Sequence, residues 1–205
     1  PETEERETVT AISELIEYYK GVFSILSQCA SRQLEEVTFR RTVIPVSELS
    51  EAAEKYFRKV SRGVAASVVF SIETVSESVI GDVNQLHFLL ENLIDEALSV
   101  PVAGKIRLTC AVEDDFVRFL FTDMRREKTR EELNQLFYPN LVRMTAGEKG
   151  KLCGTEYLLC KQIIRDHDEF AGRRGCRINA EPAEKGGFAV YFTLPRYLKR
   201  IQPGR

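Results

Sequence analysis

The sequence predicts an α+β fold: a two-layer sandwich in which a mixed sheet carries helices on one face, preceded by a long helix of the bundle-forming kind. Three observations predict it. Apolar residues recur in steps of three and four from Glu7 to Glu36. From Val37 onward, segments of strand and helix periodicity alternate. Among them is a hairpin, Ile106 to Val112 returning as Phe116 to Asp123, and antiparallel strands mixed with helices in this order point to a two-layer arrangement. Two units follow, a dimerisation-type helix over 1–36 and an α+β domain over 37–205.

In the first unit Val9, Ile12, Ile16, Tyr19, Phe23, Leu26 and Ala30 form the seam, widened on one side by Leu15, Val22 and Cys29. A stripe this wide belongs to a helical bundle rather than a simple two-stranded coiled coil. At 1.5 Å per residue such a helix extends roughly 45 Å, longer than a compact domain of this size covers. A homodimer through Ile12, Ile16, Tyr19, Phe23 and Leu26 is therefore expected, the alternative being a helix folded back onto its own domain.

In the second unit Val37 to Ile44 reads as a strand that stops at Pro45. Ser47 suits the N-cap of the next helix, whose face is Leu49, Ala52, Ala53, Tyr56, Phe57 and Val60. Ser67 to Ile72 and Ser78 to Ile80 read as short strands. Asp82 caps an amphipathic helix through Ser99, with Leu86, Leu89, Leu90, Leu93, Ile94 and Ala97 as its core face. In the hairpin, Glu113-Asp114-Asp115 makes the turn. A charged stretch from Met124 to Cys153 holds one short helix near Thr129 to Phe137. A helix from Thr155 to His167 follows, then strands at Arg177 to Ala180 and Phe188 to Leu194.

Composition narrows the function classes. The 205 residues suit one domain, or one domain with an appended helix, and 43% hydrophobic content excludes general disorder. Lys and Arg (29) nearly balance Asp and Glu (31) for a net charge of -2, which argues against a nucleic-acid protein working through a basic surface. The longest apolar stretch, Val64 to Ile72, is too short to cross a bilayer, and Pro1 opens no signal-peptide layout. No membrane contact is expected of this segment, and a chain opening Pro1-Glu2-Thr3 reads as cut from something longer. Five cysteines without a C-x-x-C and only two histidines disfavour zinc. Free, mostly buried thiols in a reducing cytoplasm are the expectation.

Five motifs fall in a recognisable order. Gly81-Asp82-Val83-Asn84-Gln85-Leu86 running into Leu90-Glu91-Asn92-Leu93-Ile94-Asp95-Glu96-Ala97 resembles the N-box helix of sensor histidine kinases. Their ATPase domain shares a superfamily with gyrase and the heat-shock chaperone ATPases. Phe119-Leu120-Phe121-Thr122-Asp123 resembles the strand into the first glycine box, and Leu136-Phe137-Tyr138-Pro139 the F-box. Gly154-Thr155-Glu156-Tyr157-Leu158 with its helix to His167 resembles the second glycine box. Gly186-Gly187-Phe188-Ala189-Val190-Tyr191-Phe192-Thr193-Leu194-Pro195 resembles the closing strand. Ile44-Pro45-Val46-Ser47-Glu48-Leu49 is similar to the segment joining the dimerisation helices to the ATPase domain.

The resemblance implies an ATP site and shows where this chain departs from it. The family's N-box offers two Asn one turn apart, the second ligating magnesium. Here Asn92 holds the first position and Glu96 the second, one helical turn apart on one flank. Glu96 remains able to ligate magnesium. The order of Glu and Asn is the reverse of the gyrase-like one, so a general-base role does not transfer. In D-x-G-x-G the Asp recognises the adenine amino group and the glycines let the backbone approach. Asp123 is kept, and Arg125 and Glu127 replace the glycines. Gly154 opens the second box, with Glu156 in place of its second glycine. A phosphate at that helix N-terminus would meet an acidic side chain. The remnant site is thus Asn92, Glu96, Asp123 and Gly154, with Arg125, Glu127 and Glu156 at the degenerate positions; ATP and magnesium are its ligands only if the site still works.

Other residues read more plainly. His87 is expected at the surface or a boundary and His167 in a structural role closing a helix. Neither has the family's phosphoacceptor context, a His followed by Glu or Asp near the start of the first dimerisation helix, so phosphotransfer chemistry is expected to be missing from the chain as given. Gly172-Arg173-Arg174-Gly175 reads as a solvated basic loop rather than an anion dock. Arg125, Arg126, Lys128 and Arg130 are expected to pair with Glu127, Glu131 and Glu132. Cys153 and Cys160 flank a helix start.

Two functions compete. The first is a signalling module of a two-component sensor, with a degenerate nucleotide site, working through dimerisation, protein contacts and a response regulator. The alternative is an active ATP-dependent histidine kinase with an atypical site, its acceptor His upstream of Pro1. A standalone interaction domain is a third reading.

Overall fold

The computed structural model describes residues 8–10, 12–13, 16, 39–63, 67–138 and 155–198. The first six of these are helical, with Val9, Ile12 and Ile16 exposed at 63%, 51% and 50%. They carry the start of the predicted seam, while Tyr19, Phe23 and Leu26 lie outside the described residues.

Strand β1 (Thr42–Pro45) pairs antiparallel with β3 (Ser78–Gly81), Ile44 opposite Val79. It is shorter than the expected Val37 to Ile44 because its partner offers only four residues. Pro45 closes the strand, where a missing N–H costs no ladder bond. Helix α1 (Val46–Val60) begins one residue ahead of Ser47, which is therefore not its cap. The first free amide is satisfied instead by tertiary structure: the Val46 N–H donates to the Glu77 carbonyl at 2.9 Å.

The main sheet has five strands in the order β2-β4-β5-β7-β6. β2 (Val68–Glu73) runs parallel to β4 (Gly104–Glu113), and β5 (Phe116–Asp123), β6 (Ile178–Pro182) and β7 (Phe188–Pro195) complete it with antiparallel pairings. The predicted sheet is thus mixed, but β1 and β3 stand apart from it as a separate two-stranded ribbon.

Alternation decides which face is covered. Ile106 and Leu108 of β4, Val117 and Phe119 of β5, and Val190, Phe192 and Leu194 of β7 are buried. They share their core with Leu89, Leu93 and Ile94 of α2 (Val83–Leu98) and with Ile163 and Ile164 of α4 (Thr155–Phe170). Phe119 and Phe192 stack at 4.8 Å in the middle of the layer. Each such side chain contributes about 1.5–3 kcal/mol by leaving water. The opposite face is polar, with Arg118 paired to Glu113 and Glu181 and Arg107 to Glu73, as suits a sheet wet on one side. Among the described residues no helix is long and apolar enough to cross a membrane.

The start of α2 is a hub. The Asp82 carboxylate accepts from the Asn84 and Gln85 amides, capping the helix as its sequence predicts, and also from the Arg40 amide. The Asp82 N–H donates to His167 Nε2 at 3.1 Å, while His167 Nδ1 sits 2.7 Å from the Ile163 carbonyl. His167 is fully buried, with the Phe39 ring edge-on at 4.9 Å. Burial holds its pKa below the ordinary histidine value, against the Ile163 bond and the Asp82 charge. Gly81 must lack a side chain here, since a Cβ would come within 2.9 Å of the His167 ring.

The charged turns pair internally. Arg173 bonds Asp115 and lies over Phe116, and Arg174 reaches Asp168, whose carboxylate also accepts from the Gly175 and Cys176 amides. Cys110 and Cys160 are buried and Cys176 half-buried, and none of the three is in a disulfide. Burial pushes the Cys110 and Cys176 thiols up to about 12. Cys29 and Cys153 lie outside the described residues.

Candidate functional site

β5 ends on Asp123, between β4 and β7, opposite Ile106 on one side and Phe188 on the other. The strand alternation that buries Phe119 and Phe121 also turns Asp123 inward, where its side chain is 1% exposed. A carboxylate so placed needs compensation.

Two neighbours in the chain supply it. Arg125 Nε donates to Asp123 Oδ1 and Arg125 Nη2 to Oδ2, both at 2.9 Å, a bidentate fork. The Arg125 amide adds a third bond to Oδ1 at 3.0 Å, and Arg126 Nε a fourth, to Oδ2 at 2.9 Å. Four donors on two oxygens use up the roughly four acceptor sites of a carboxylate. Burial pushes the Asp123 carboxyl up, but the Arg125 bonds and the Arg126 charge outweigh it and hold the pKa below the ordinary value.

Arg125 is itself enclosed, with its side chain 1% exposed. Its Nη2 also donates to the Ala97 carbonyl at 2.5 Å and its Nη1 to the Val102 carbonyl at 3.0 Å. Ala97 is in the last turn of α2, where carbonyls lack a helical partner and the helix dipole favours a cation. Gly104 makes room for the stem: a Cβ there would lie 2.8 Å from Arg125 Cγ.

Arg126 extends the cluster to the N-box helix. Its Nη1 lies 3.5 Å from Glu96 Oε1, and its guanidinium sits over the Phe188 ring at 5.5 Å. Burial lowers the Arg126 pKa less than the carboxylates of Asp123 and Glu96 raise it, so the group stays charged. Two guanidinium charges thus face two carboxylates. Tyr157 closes it on the α4 side. Burial, and then the Glu96 charge, keep its phenol far above its ordinary pKa. Phe137 packs edge-on against it at 6.0 Å, so the F-box segment around α3 (Arg130–Gln135) is tied to the same corner.

Asn92 takes no part. Its side-chain amide donates to the Phe88 carbonyl one turn back, at 2.8 Å. Glu127 is exposed. Gly154 and the side chain of Glu156 lie outside the described residues. Among the described residues no group of three or more His, Cys, Asp or Glu could hold a metal ion.

The structure thus brings Asp123, Arg125 and Glu96 together and leaves Asn92 aside. It corrects the expected pairing of Arg125 and Arg126 with Glu127, Glu131 and Glu132: both guanidiniums turn inward to Asp123, the better partner because it is buried and otherwise uncompensated. Sequence reasoning missed Tyr157 as part of this corner and the acceptor carbonyls of Ala97 and Val102. Carbonyls carry no residue-type signal.

The family model described as "Histidine kinase-, DNA gyrase B-, and HSP90-like ATPase" matches residues 81–198. No curated protein matches the chain. Among solved structures, the catalytic domain of histidine kinase ThkA superposes with a TM-score of 0.58 at 22% identity, over 77% of this chain and 98% of that one. Histidine kinase AdeS of Acinetobacter baumannii gives 0.60 at 15% identity, over 89% and 81%. ThkA in complex with the response regulator protein TrrA gives 0.66 at 21% identity, over 88% of this chain and 48% of that one. The α+β architecture is that of histidine kinase catalytic domains, and with more than half its residues inside the family model, the chain belongs to the histidine kinase-, DNA gyrase B- and HSP90-like ATPases.

Proposed function

We propose that the chain is the ATPase-fold module of a cytoplasmic two-component sensor in which an ion-pair cluster has replaced the nucleotide. It acts through dimerisation and protein contacts, a response regulator among them, and not by phosphoryl transfer. The observation that carries this reading is the saturation of Asp123, whose two oxygens already accept four hydrogen bonds from Arg125 and Arg126. An adenine amino group would have to displace one of them inside a dry site, where an unpaired charge is costly.

The residues present do not fit a magnesium nucleotide. Glu96 faces Arg126, and the Asn92 amide is turned to its own helix. The exposed Val9, Ile12 and Ile16 at helical spacing support pairing with a second copy.

One experiment reads both parts. In a sedimentation run with a fluorescent ATP analogue and magnesium, the protein should move as a dimer and leave the analogue behind. Ile16→Glu with Phe23→Glu should shift it to monomer. Analogue travelling with the protein at a dissociation constant near or below about 10 μM, equivalent to roughly 7 kcal/mol, would make the active kinase the better reading. A monomer at high concentration would sink the dimer.

A further inference from the structure

We propose that the Arg125 guanidinium is a tethered ligand: it occupies a small cavity whose acceptors are set out for a planar guanidine or amidine cation. The inference deepens the reading above, on which the same corner admits no nucleotide, and it concerns what the corner binds instead.

The cavity has four acceptor atoms. Asp123 contributes two oxygens, Ala97 a carbonyl at the end of α2, and Val102 a carbonyl in the loop before β4. They meet the fork from three sides, and four of the five guanidinium N–H groups find an acceptor. A lysine ammonium could not reach them together, since its three donors diverge from one atom. Asp123 lies only two residues from Arg125, but the other two acceptors come from distant parts of the chain, 28 residues back for Ala97 and 23 for Val102. A local turn preference does not account for that convergence. Gly104 leaves the stem its passage, 2.8 Å from where a Cβ would stand. The side chain is 1% exposed, so the group is enclosed as a bound ligand is. The domain thereby carries its own occupant, and its conformation does not follow the supply of a diffusible one.

Chemical rescue tests this. Arg125→Ala removes the fork and two methylenes, and N-ethylguanidinium replaces those atoms. Loss of one partner from a buried ion pair should lower the unfolding midpoint by about 10 °C. N-ethylguanidinium at ten times its dissociation constant should then restore about 4 °C. Ethylammonium at the same concentration should restore none, and the native protein should respond to neither. No recovery, or equal recovery with ethylammonium, would overturn the proposal.

If Arg125→Ala does not fold alone, its refolding yield with and without N-ethylguanidinium is the readout, and an unchanged yield counts against the idea. Arg125→Lys gives an independent check, because a variant as stable as the native protein would show that charge alone suffices. ATP binding by the native protein would instead refute the functional reading, so the two failures are distinguishable.

Discussion

Asp123→Ala is expected to destabilise the protein by about 3–5 kcal/mol, because it strands two buried guanidiniums at once. For a domain of this size that is a fall of about 10 °C in the unfolding midpoint. The loss should be smaller when Asp123→Leu is combined with Arg125→Met, since the double variant leaves only Arg126 without that carboxylate, and Arg126 keeps Glu96. Thermal denaturation of the single and double variants, read as a cycle, gives the coupling. A single variant melting within about 2 °C of the native protein would mean that the cluster contributes little.

Gly187→Ala should cost a similar amount, roughly 4 kcal/mol, for an unrelated reason. The hairpin between β6 and β7 turns through Ala183 to Gly187, closed by the Ala183 N–H to the Gly187 carbonyl at 3.1 Å and the Gly186 N–H to the Ala183 carbonyl at 3.2 Å. Both glycines have left-handed backbones, with φ of 89° and 82°. At Gly187 a Cβ would also strike the Asp123 carbonyl oxygen and sit 2.8 Å from Met124 Cα, backbone atoms that cannot step aside. At Gly186 the nearest atom is 4.0 Å away, at the end of Glu127. Gly186→Ala therefore pays only for its φ, about 1 kcal/mol. Urea denaturation of the two variants should separate them widely; equal losses would refute the steric argument.

Much of this architecture was legible in the sequence, because apolar spacing reports burial directly. The α2 face of Leu86, Leu89, Leu93 and Ile94, the Asp82 cap and the alternation of the β4–β5 hairpin all follow from periods of 3.6 and 2. Element ends were less legible where tertiary contacts set them. α1 starts at Val46 because the Glu77 carbonyl receives its amide, and α4 runs on to Phe170, past the His167 expected to close it.

The candidate site was half legible. The family resemblance implied Asp123, Arg125 and Glu96 at one corner, but not the direction of the guanidiniums. A long side chain has many rotamers, and the choice fell to a buried carboxylate and to carbonyls that any residue could have supplied. The outward pairing with Glu127, Glu131 and Glu132 rested on nearness in sequence, which carries no information about burial.

The hub at the start of α2 makes the fold sensitive to acid. His167 serves there only as the neutral ring, receiving the Asp82 N–H on Nε2 and donating from Nδ1 to the Ile163 carbonyl. Its pKa is lowered in the folded protein, chiefly by burial, so the unfolded chain binds this proton more readily. Stability from this group is therefore fully present above the ordinary histidine value of about 6.5 and is lost as pH falls through the lowered one, at up to about 1.4 kcal/mol per pH unit. Acid protonates the acceptor of the Asp82 bond and so loosens a joint that also holds Arg40 and Phe39, the residues leading into β1. The unfolding midpoint should stay level from about pH 8 to 7 and decline below about 6.5, ahead of any carboxylate. A midpoint flat down to pH values near 5, or a decline that persists unchanged in His167→Gln, would assign the acid sensitivity elsewhere.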